Sequence, residues 1–380
     1  MPGPEPIRTI NVVAAIANGP KDPFEIANCT LGAPRAGEVR VRVHACGICH
    51  TDLAVKLQHI PIPMPKVLGH EGAGVVEEIG PGVTQCQPGD HVLMSFGSCG
   101  ECGNCRDGAL GYCDRFRVIN LFGDRAGGSA LARNGKELSG HFFAQSAFAT
   151  HAIATARNIV KVDRNLPLEL LAPLGCGIQT GVGSVMNVLR PEAGTSIAVF
   201  GVGAVGLSAI IAAKIVGCST IIAVDIDPER LRVAQELGAT HVVSGRAENP
   251  VEEIVDLTRG GAHFSLDTTG APAAVANSIN CLRARGVSAQ VAAPPRGTLY
   301  AAEASVLVGK GIAIRGIVEG DANPQLFIPR MVDFFREGRL PLDKIVKTYP
   351  LEKINEAGDD LEYGRVVKPV LTMREIGSVA

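Results

Sequence analysis

The hexapeptide Gly201-Val202-Gly203-Ala204-Val205-Gly206 follows an apolar run at 196–200 and opens a helical pattern over 205–216. That placement gives each glycine a mechanical task. The first makes a tight turn, the second lets a pyrophosphate approach the backbone, and the third lets helix and strand pack closely. The free N–H groups and partial positive charge of the helix N-terminus then face the phosphates, and Val205 lies in that first turn. A second apolar run at 220–224 ends in Asp225, nineteen residues after Gly206. A carboxylate there accepts hydrogen bonds from both ribose hydroxyls and repels a 2′-phosphate, which favours NAD over NADP. Arg230 follows on the helical pattern at 228–237 and is expected to flank the same ribose. The glycine triplet alone is a weak signal. The order strand, turn, helix, strand, acid is what carries it.

From residue 195 onward, short apolar runs alternate with helical patterns, as in a parallel α/β sheet. Further strands are expected at 263–267, 288–292 and 312–318, then a helix at 326–337 and closing strands that end near Met373. Before residue 177 the chain is strand-rich and punctuated by glycine. Residues 10–17, 38–45 and 72–79 read as strands, Pro61, Pro63 and Pro65 mark an extended loop, and 114–145 reads as a long surface loop. The expected domains are a β-rich one, residues 1–177 with 325–380, enclosing an α/β one at 178–324.

The chain of 380 residues is too long for one ordinary core. A hydrophobic content of 46% with 19% charged residues argues against disorder. The net charge of −2 offers no basic field to nucleic acid or to a membrane surface. The most apolar stretch, 197–213, approaches membrane-span length, but its glycine turn reads as a buried strand–turn–helix instead. No signal-peptide pattern opens the chain, and the cytoplasm is the default expectation.

Eleven cysteines are unlike a secreted disulfide framework. Four crowd together as Cys99-x2-Cys102-x2-Cys105-x7-Cys113. Four thiolates on one tight loop close a tetrahedral shell with no open position, so a zinc ion there is structural and adds to folding. An iron–sulfur cluster is the competing reading, disfavoured by the spacing of the fourth cysteine. Cys29, Cys46, Cys86, Cys218 and Cys281 have no assigned task.

Cys49, His70 and Cys176 form a second possible set: two thiolates and an imidazole, with a fourth position left for water or an alcohol oxygen. Zinc so held is a Lewis acid that makes an alcohol O–H ionise near neutral pH, so that hydride can leave the carbon. Spacing alone does not pair these residues, and a buried cysteine is often only a small hydrophobe.

Taken in order, Cys46-Gly-Ile-Cys49-His50-Thr51-Asp52, Gly69-His70-Glu71, the four-cysteine lobe, Leu174-Gly175-Cys176-Gly177 and the glycine turn resemble the zinc-containing medium-chain alcohol dehydrogenases. The resemblance spans essentially the whole chain. It implies a GroES-like β-rich catalytic domain beside a Rossmann doubly wound parallel-sheet domain, with two zinc ions per chain and NAD. It implies that Cys49, His70 and Cys176 hold the catalytic zinc and the lobe the structural one. It further implies that Asp52 orients His70, that Glu71 lies beside the metal, and that Thr51 takes the alcohol proton. In liver-type members a histidine three residues after that hydroxyl passes the proton on. Ala54 stands there in this chain, which leaves His50 as the nearest relay. Lys368 resembles a basic residue that approaches the cofactor pyrophosphate.

Ile60, Phe96, Phe142 and Phe143 fall where pocket residues are expected. With the segment 316–325, which resembles the bacterial aryl-alcohol (benzyl alcohol) dehydrogenases, they point to aromatic, allylic or terpenoid primary alcohols and their aldehydes. Neighbouring readings are a glutathione-dependent formaldehyde dehydrogenase and a polyol dehydrogenase. A non-catalytic zinc-binding module explains neither the glycine turn nor the second metal set. The strand at 312–318 resembles the edge through which such enzymes pair, giving a homodimer or a homotetramer.

Overall fold

The computed structural model describes residues 9–294 and 297–373. These fall into two compact units. The first runs up to Cys176 and includes Asn323–Val332 and the chain from Leu342 onward. The second comprises Gly177–Ala322 and Asp333–Pro341.

The first unit is β-rich. Its strands are β1 (Ile10–Ala17), β2 (Glu25–Leu31), β3 (Glu38–Gly47), β4 (Lys66–Val67), β5 (Glu71–Ile79), β6 (His91–Met94), β7 (Leu131–Arg133), β8 (Lys136–Glu137), β9 (His151–Thr155) and β10 (Ile159–Val162). The second unit supplies β11 (Ser196–Phe200), β12 (Thr220–Asp225), β13 (His241–Ser244), β14 (Ala262–Asp267), β15 (Leu282–Gln290) and β16 (Ala313–Gly316). The chain then returns to the first unit as β17 (Val346–Pro350) and β18 (Lys368–Thr372). One sheet runs β4-β1-β2-β7-β8, and a second runs β10-β6-β5-β3-β18-β17 with β9 also on β3.

Register in the second sheet positions the chemistry. β3 pairs antiparallel with β5 from Val39↔Ile79 to Gly47↔Glu71. The end of one strand therefore meets the start of the other, and Cys49 and His70 lie just beyond that meeting point. β18 joins β3 with Leu371 opposite Cys46, and the N–H of Ile48 donates to the carbonyl of Pro369. This brings Lys368 to the same end of the sheet.

The second unit is a parallel sheet of order β13-β12-β11-β14-β15-β16. β11 is buried at every position, as a strand covered on both faces must be. The strand order reverses between β11 and β14, and the glycine turn follows β11 at that switch point. The apolar stretch at 197–213 is this strand and the helix Ala204–Ile215. Among the described residues no helix is long and apolar enough to cross a membrane.

Two local expectations need correction. β15 starts at Leu282 rather than 288, because exposed Arg283 and Arg285 mask its first half in the sequence. The segment 114–145 is not simply a surface loop. It contains a π-helical turn, Val118–Phe122, the β7–β8 hairpin and buried polar anchors. Asn120 donates to the carbonyls of Gly97 and Phe116 at 2.9 Å each and accepts from the Gly97 N–H at 2.7 Å. Arg125 forms a two-pronged buried pair with Glu38, at 2.8 Å for each contact. Lys66, on β4, is fully buried, and its ammonium donates to the Phe122 carbonyl (2.9 Å) and to Ser139 Oγ (2.8 Å).

Burial pulls the Lys66 ammonium down to about 8. The folded value lies below the unfolded one. Between those two values the unfolded chain keeps a proton that the folded chain has lost, so the contribution of Lys66 to stability rises with pH. Denaturant titrations of the wild type and Lys66→Met from pH 8 to pH 10.5 are expected to diverge in favour of the wild type by roughly 3 kcal/mol. A constant difference across that window contradicts the burial argument.

Candidate active site and metal centres

Cys49 precedes the helix His50–Lys56 as its N-cap, and Asp52, in the first turn, accepts from the Cys49 N–H at 2.9 Å. The other oxygen of Asp52 accepts from the Gly69 N–H (3.0 Å) and contacts His70 Nδ1 at 2.9 Å. A carboxylate only accepts, so the imidazole carries its proton on Nδ1 and turns the lone pair of Nε2 the other way. That Nε2 is buried and has no hydrogen-bond partner. The ligand atoms of Cys49, His70 and Cys176 all lie within 4.8 Å of one another. A buried imidazole nitrogen left without a donor, facing two thiols, is what a zinc ion with one open position requires. The donor set fits the metal.

The surroundings are charged and closely paired. Glu71 is fully buried and receives the Lys368 ammonium at 2.9 and 3.0 Å, while Lys368 also donates to the Ile48 carbonyl at 3.1 Å. β18 thus delivers Lys368 beside Glu71. Burial disfavours its charge, but Glu71 and Cys49 outweigh that and hold it well above the usual lysine range. Burial raises the Glu71 carboxyl against the pull of Lys368. The Cys49 thiol is held well below its usual value, chiefly by its contact with Cys176 and then by His70. Thr51 is half-buried, with Oγ1 3.8 Å from Cys49 Sγ, and His50 is exposed.

An aromatic wall stands over His70. Phe143 stacks on the imidazole with centroids 4.4 Å apart and planes 28° apart, and Phe142 meets it edge-on at 5.6 Å. Phe116 touches both Phe96 (5.9 Å) and Phe143 (6.2 Å). Ile60 is half-buried and packs against the core of this unit. The segment presenting Phe143 is strained: His141, Phe143, Ala144 and Ser146 all have positive φ, between 51° and 62°. For residues with a Cβ this costs about 1–2 kcal/mol each. Buried polar side chains hold the strain. Gln145 donates to the His70 carbonyl (2.9 Å) and the Ser95 carbonyl (3.1 Å), and accepts from the Gly72 N–H (3.0 Å). Ser146 Oγ donates to the Val67 carbonyl at 2.7 Å. Ser95 Oγ donates to the Gly175 carbonyl at 2.6 Å, next to Cys176. Phe116, Gln145 and Ser95 lie outside every motif of the sequence.

Cys99, Cys102, Cys105 and Cys113 also place their sulfurs within 4.8 Å of one another. Cys99 Sγ and Cys105 Sγ are 3.8 Å apart, far beyond a disulfide and equal to the edge of a tetrahedron with ~2.3 Å metal–sulfur bonds. The N–H groups of Cys99 and Cys102 point at Cys113 Sγ (3.3 Å) and Cys99 Sγ (3.4 Å). The Glu101 N–H leads the effects that bring Cys99 down to about 6, whereas burial lifts Cys105 to about 12.

In the second unit, Gly201 takes φ +80°, and a Cβ on Gly206 would lie 2.0 Å from the Gly201 carbonyl oxygen. A Cβ on Gly203 would meet nothing within 4 Å, so the turn leaves a cradle at the start of the helix Ala204–Ile215. Val205 is half-buried in the helix's first turn. Asp225 ends β12 and accepts from the Val202 N–H (2.7 Å) and the Asp227 N–H (3.0 Å), which locks its carboxylate beside the turn with acceptor capacity remaining. Arg230 lies 3.9 Å from Asp227, on the helix that Asp227 caps. These residues fit a dinucleotide pyrophosphate and ribose.

Comparison with known proteins agrees over nearly the whole chain. Residues 35–164 match the alcohol dehydrogenase GroES-like domain, and residues 204–337 match the zinc-binding dehydrogenase family. Geraniol dehydrogenase of Castellaniella defragrans is 42% identical over 365 residues, 95% of this chain and 98% of that protein. The crystal structure of an alcohol dehydrogenase zinc-binding domain protein from Burkholderia ambifaria superposes with a TM-score of 0.95 at 48% identity, covering 97% of this chain and all of that one. Benzyl alcohol dehydrogenase from Acinetobacter calcoaceticus gives a TM-score of 0.93 at 43% identity, covering 96% and 100%.

Removing the carboxylate that orients His70 is expected to weaken metal binding. Asp52→Ala is predicted to lose zinc about 10–100-fold more readily than the wild type in competition with a graded chelator. Equal retention by the two proteins contradicts an orienting role for Asp52.

Proposed function

The chain belongs to the zinc-binding alcohol dehydrogenases with a GroES-like domain, and from that premise we propose that it oxidises primary aromatic, allylic or terpenoid alcohols to aldehydes, reversibly, with NAD. The observation that carries the reading is the partnerless Nε2 of His70 facing Cys49 and Cys176. Cys49, His70 and Cys176 would hold one zinc ion, and the four-cysteine lobe would hold a second. The first supplies Lewis acidity that makes an alcohol hydroxyl ionise near neutral pH. Thr51, beside Cys49, takes the hydroxyl proton, and exposed His50 passes it to solvent. Asp52 keeps His70 in one tautomer and orientation. Lys368 compensates the charge of Glu71 next to the donor set. NAD would accept the hydride from the alcohol carbon, so one alcohol and one NAD would yield one aldehyde, one NADH and one proton.

Four observations support the finer choices. The ring of Phe143, stacked on His70, gives a flat apolar surface suited to an unsaturated substituent, in keeping with the geraniol and benzyl alcohol dehydrogenases among the relatives. Asp225 repels a 2′-phosphate, which favours NAD over NADP. β16 ends its sheet with all four residues exposed, an edge suited to continuing the sheet into a second copy as a homodimer. All eleven cysteines are free, which accords with a cytoplasmic setting.

Incubation with benzyl alcohol, geraniol, ethanol and sorbitol is expected to reduce NAD fastest with the first two, and NADP far more slowly. Sorbitol as the preferred substrate, or NADP as the preferred oxidant, counts against the proposal. His50→Gln is expected to lower activity and alter its pH profile. A profile superimposable on the wild type's rules out His50 as the relay.

A further inference from the structure

Asn158 lies between β9 and β10, outside every motif of the sequence, yet it is almost fully buried. Its side-chain nitrogen donates to the Ser95 carbonyl at 2.9 Å and to the carbonyls of Phe143 and Ala144 at 3.3 Å each. Thr155 Oγ1 donates to its side-chain oxygen at 2.9 Å, which sets the orientation of the carboxamide. The backbone of Asn158 is held at both ends as well: its N–H donates to the Thr155 carbonyl (3.1 Å), and its carbonyl accepts from the Ser95 N–H (2.8 Å). One carboxamide therefore ties the strand leading to Phe96 to two consecutive residues of the strained segment, Phe143 and Ala144.

Both tied residues sit at positive φ, and neither is glycine. Without a fixed donor for their carbonyls their backbone would relax toward an ordinary conformation. The plane of the Phe143 ring on His70 depends on that backbone, because the side chain leaves the chain in the direction that φ and ψ dictate. Gln145 grips the His70 carbonyl from the same segment, so the imidazole and the ring laid on it share one support.

We propose that Asn158 is a positioning residue that holds the Phe143 ring flat against His70 and thereby sets the preference of the site for planar, unsaturated alcohols over small saturated ones. The inference rests on the alcohol dehydrogenase reading above. Asn158 touches no substrate. It acts through the conformation of Phe143. Flat substrates use the ring face, whereas a two-carbon alcohol needs only the polar end of the site, so loosening the ring penalises the first and spares the second.

The test measures kcat and KM for benzyl alcohol, geraniol and ethanol in the wild type, Asn158→Ala and Asn158→Asp, with bound zinc quantified in each. Asp matches Asn in size but, when ionised, has no donor for the carbonyls of Phe143 and Ala144. In both variants the ratio of kcat/KM for benzyl alcohol or geraniol to that for ethanol is expected to fall about tenfold, mostly through KM. The ethanol kcat/KM should stay within about twofold and the zinc content should not change. A uniform drop for all three alcohols, or an unchanged ratio, overturns the proposal. If neither Asn158 variant yields folded protein, Thr155→Val removes only the hydroxyl that orients the carboxamide. It carries the same prediction in smaller measure, with the same contradicting result. A wild type that shows no preference for the unsaturated alcohols refutes the proposed substrate class. A wild type with that preference, kept in the variants, refutes the role of Asn158 alone.

Discussion

The carboxylate of Asp52 receives the N–H of Cys49, the N–H of Gly69 and the imidazole of His70 at one buried point. Those three contacts join a helix N-terminus to the segment entering β5. Two potential metal donors, Cys49 and His70, thus take their positions from the same side chain. An ionised carboxylate in such a place is costly unless its acceptor sites are filled, and here three donors fill them. The arrangement also decides which imidazole nitrogen faces Cys176. The positions of Cys49 and His70 depend on this hydrogen-bonded carboxylate.

Around it the protein builds a graded environment. On one side the Glu71–Lys368 pair places a compensated charge close to the thiols, delivered by β18 from far along the chain. On the other side Phe142 and Phe143 close over the imidazole with apolar surface. Exclusion of water on that side strengthens every electrostatic contact within. Strained backbone at 141–146 is the cost of bringing the ring so near, and Gln145, Ser146 and Asn158 stabilise it with buried hydrogen bonds.

How much of this was legible in the sequence depends on the range over which each signal acts. The glycine turn and its strands were readable because each glycine answers a local steric demand, and β11 and the helix Pro228–Leu237 fall where the pattern places them. The cysteine lobe was readable for the same reason, since its four sulfurs lie within fifteen residues of chain. Cys49, His70 and Cys176 could be grouped only by resemblance, because strand register brings Cys49 to His70 and the packing of the turn Ala172–Gly175 brings Cys176, and spacing reports neither. The pairing of Lys368 with Glu71 was not legible, since the two are 297 residues apart in the chain. Phe116, Gln145 and Asn158 were missed because a polar, glycine-containing stretch reads as a loop until the carbonyls it must satisfy are known.

The claim on which the rest stands is that Cys49, His70 and Cys176 bind a metal ion. X-ray absorption at the zinc edge, with metal analysis of the purified, metal-replete protein, addresses it directly. The account predicts two zinc ions per chain, one bound by four sulfurs and one by two sulfurs and an imidazole nitrogen. It further predicts that the mixed signal vanishes in Cys176→Ser while the four-sulfur signal remains. Zinc bound by four sulfurs alone in the wild type would contradict the account.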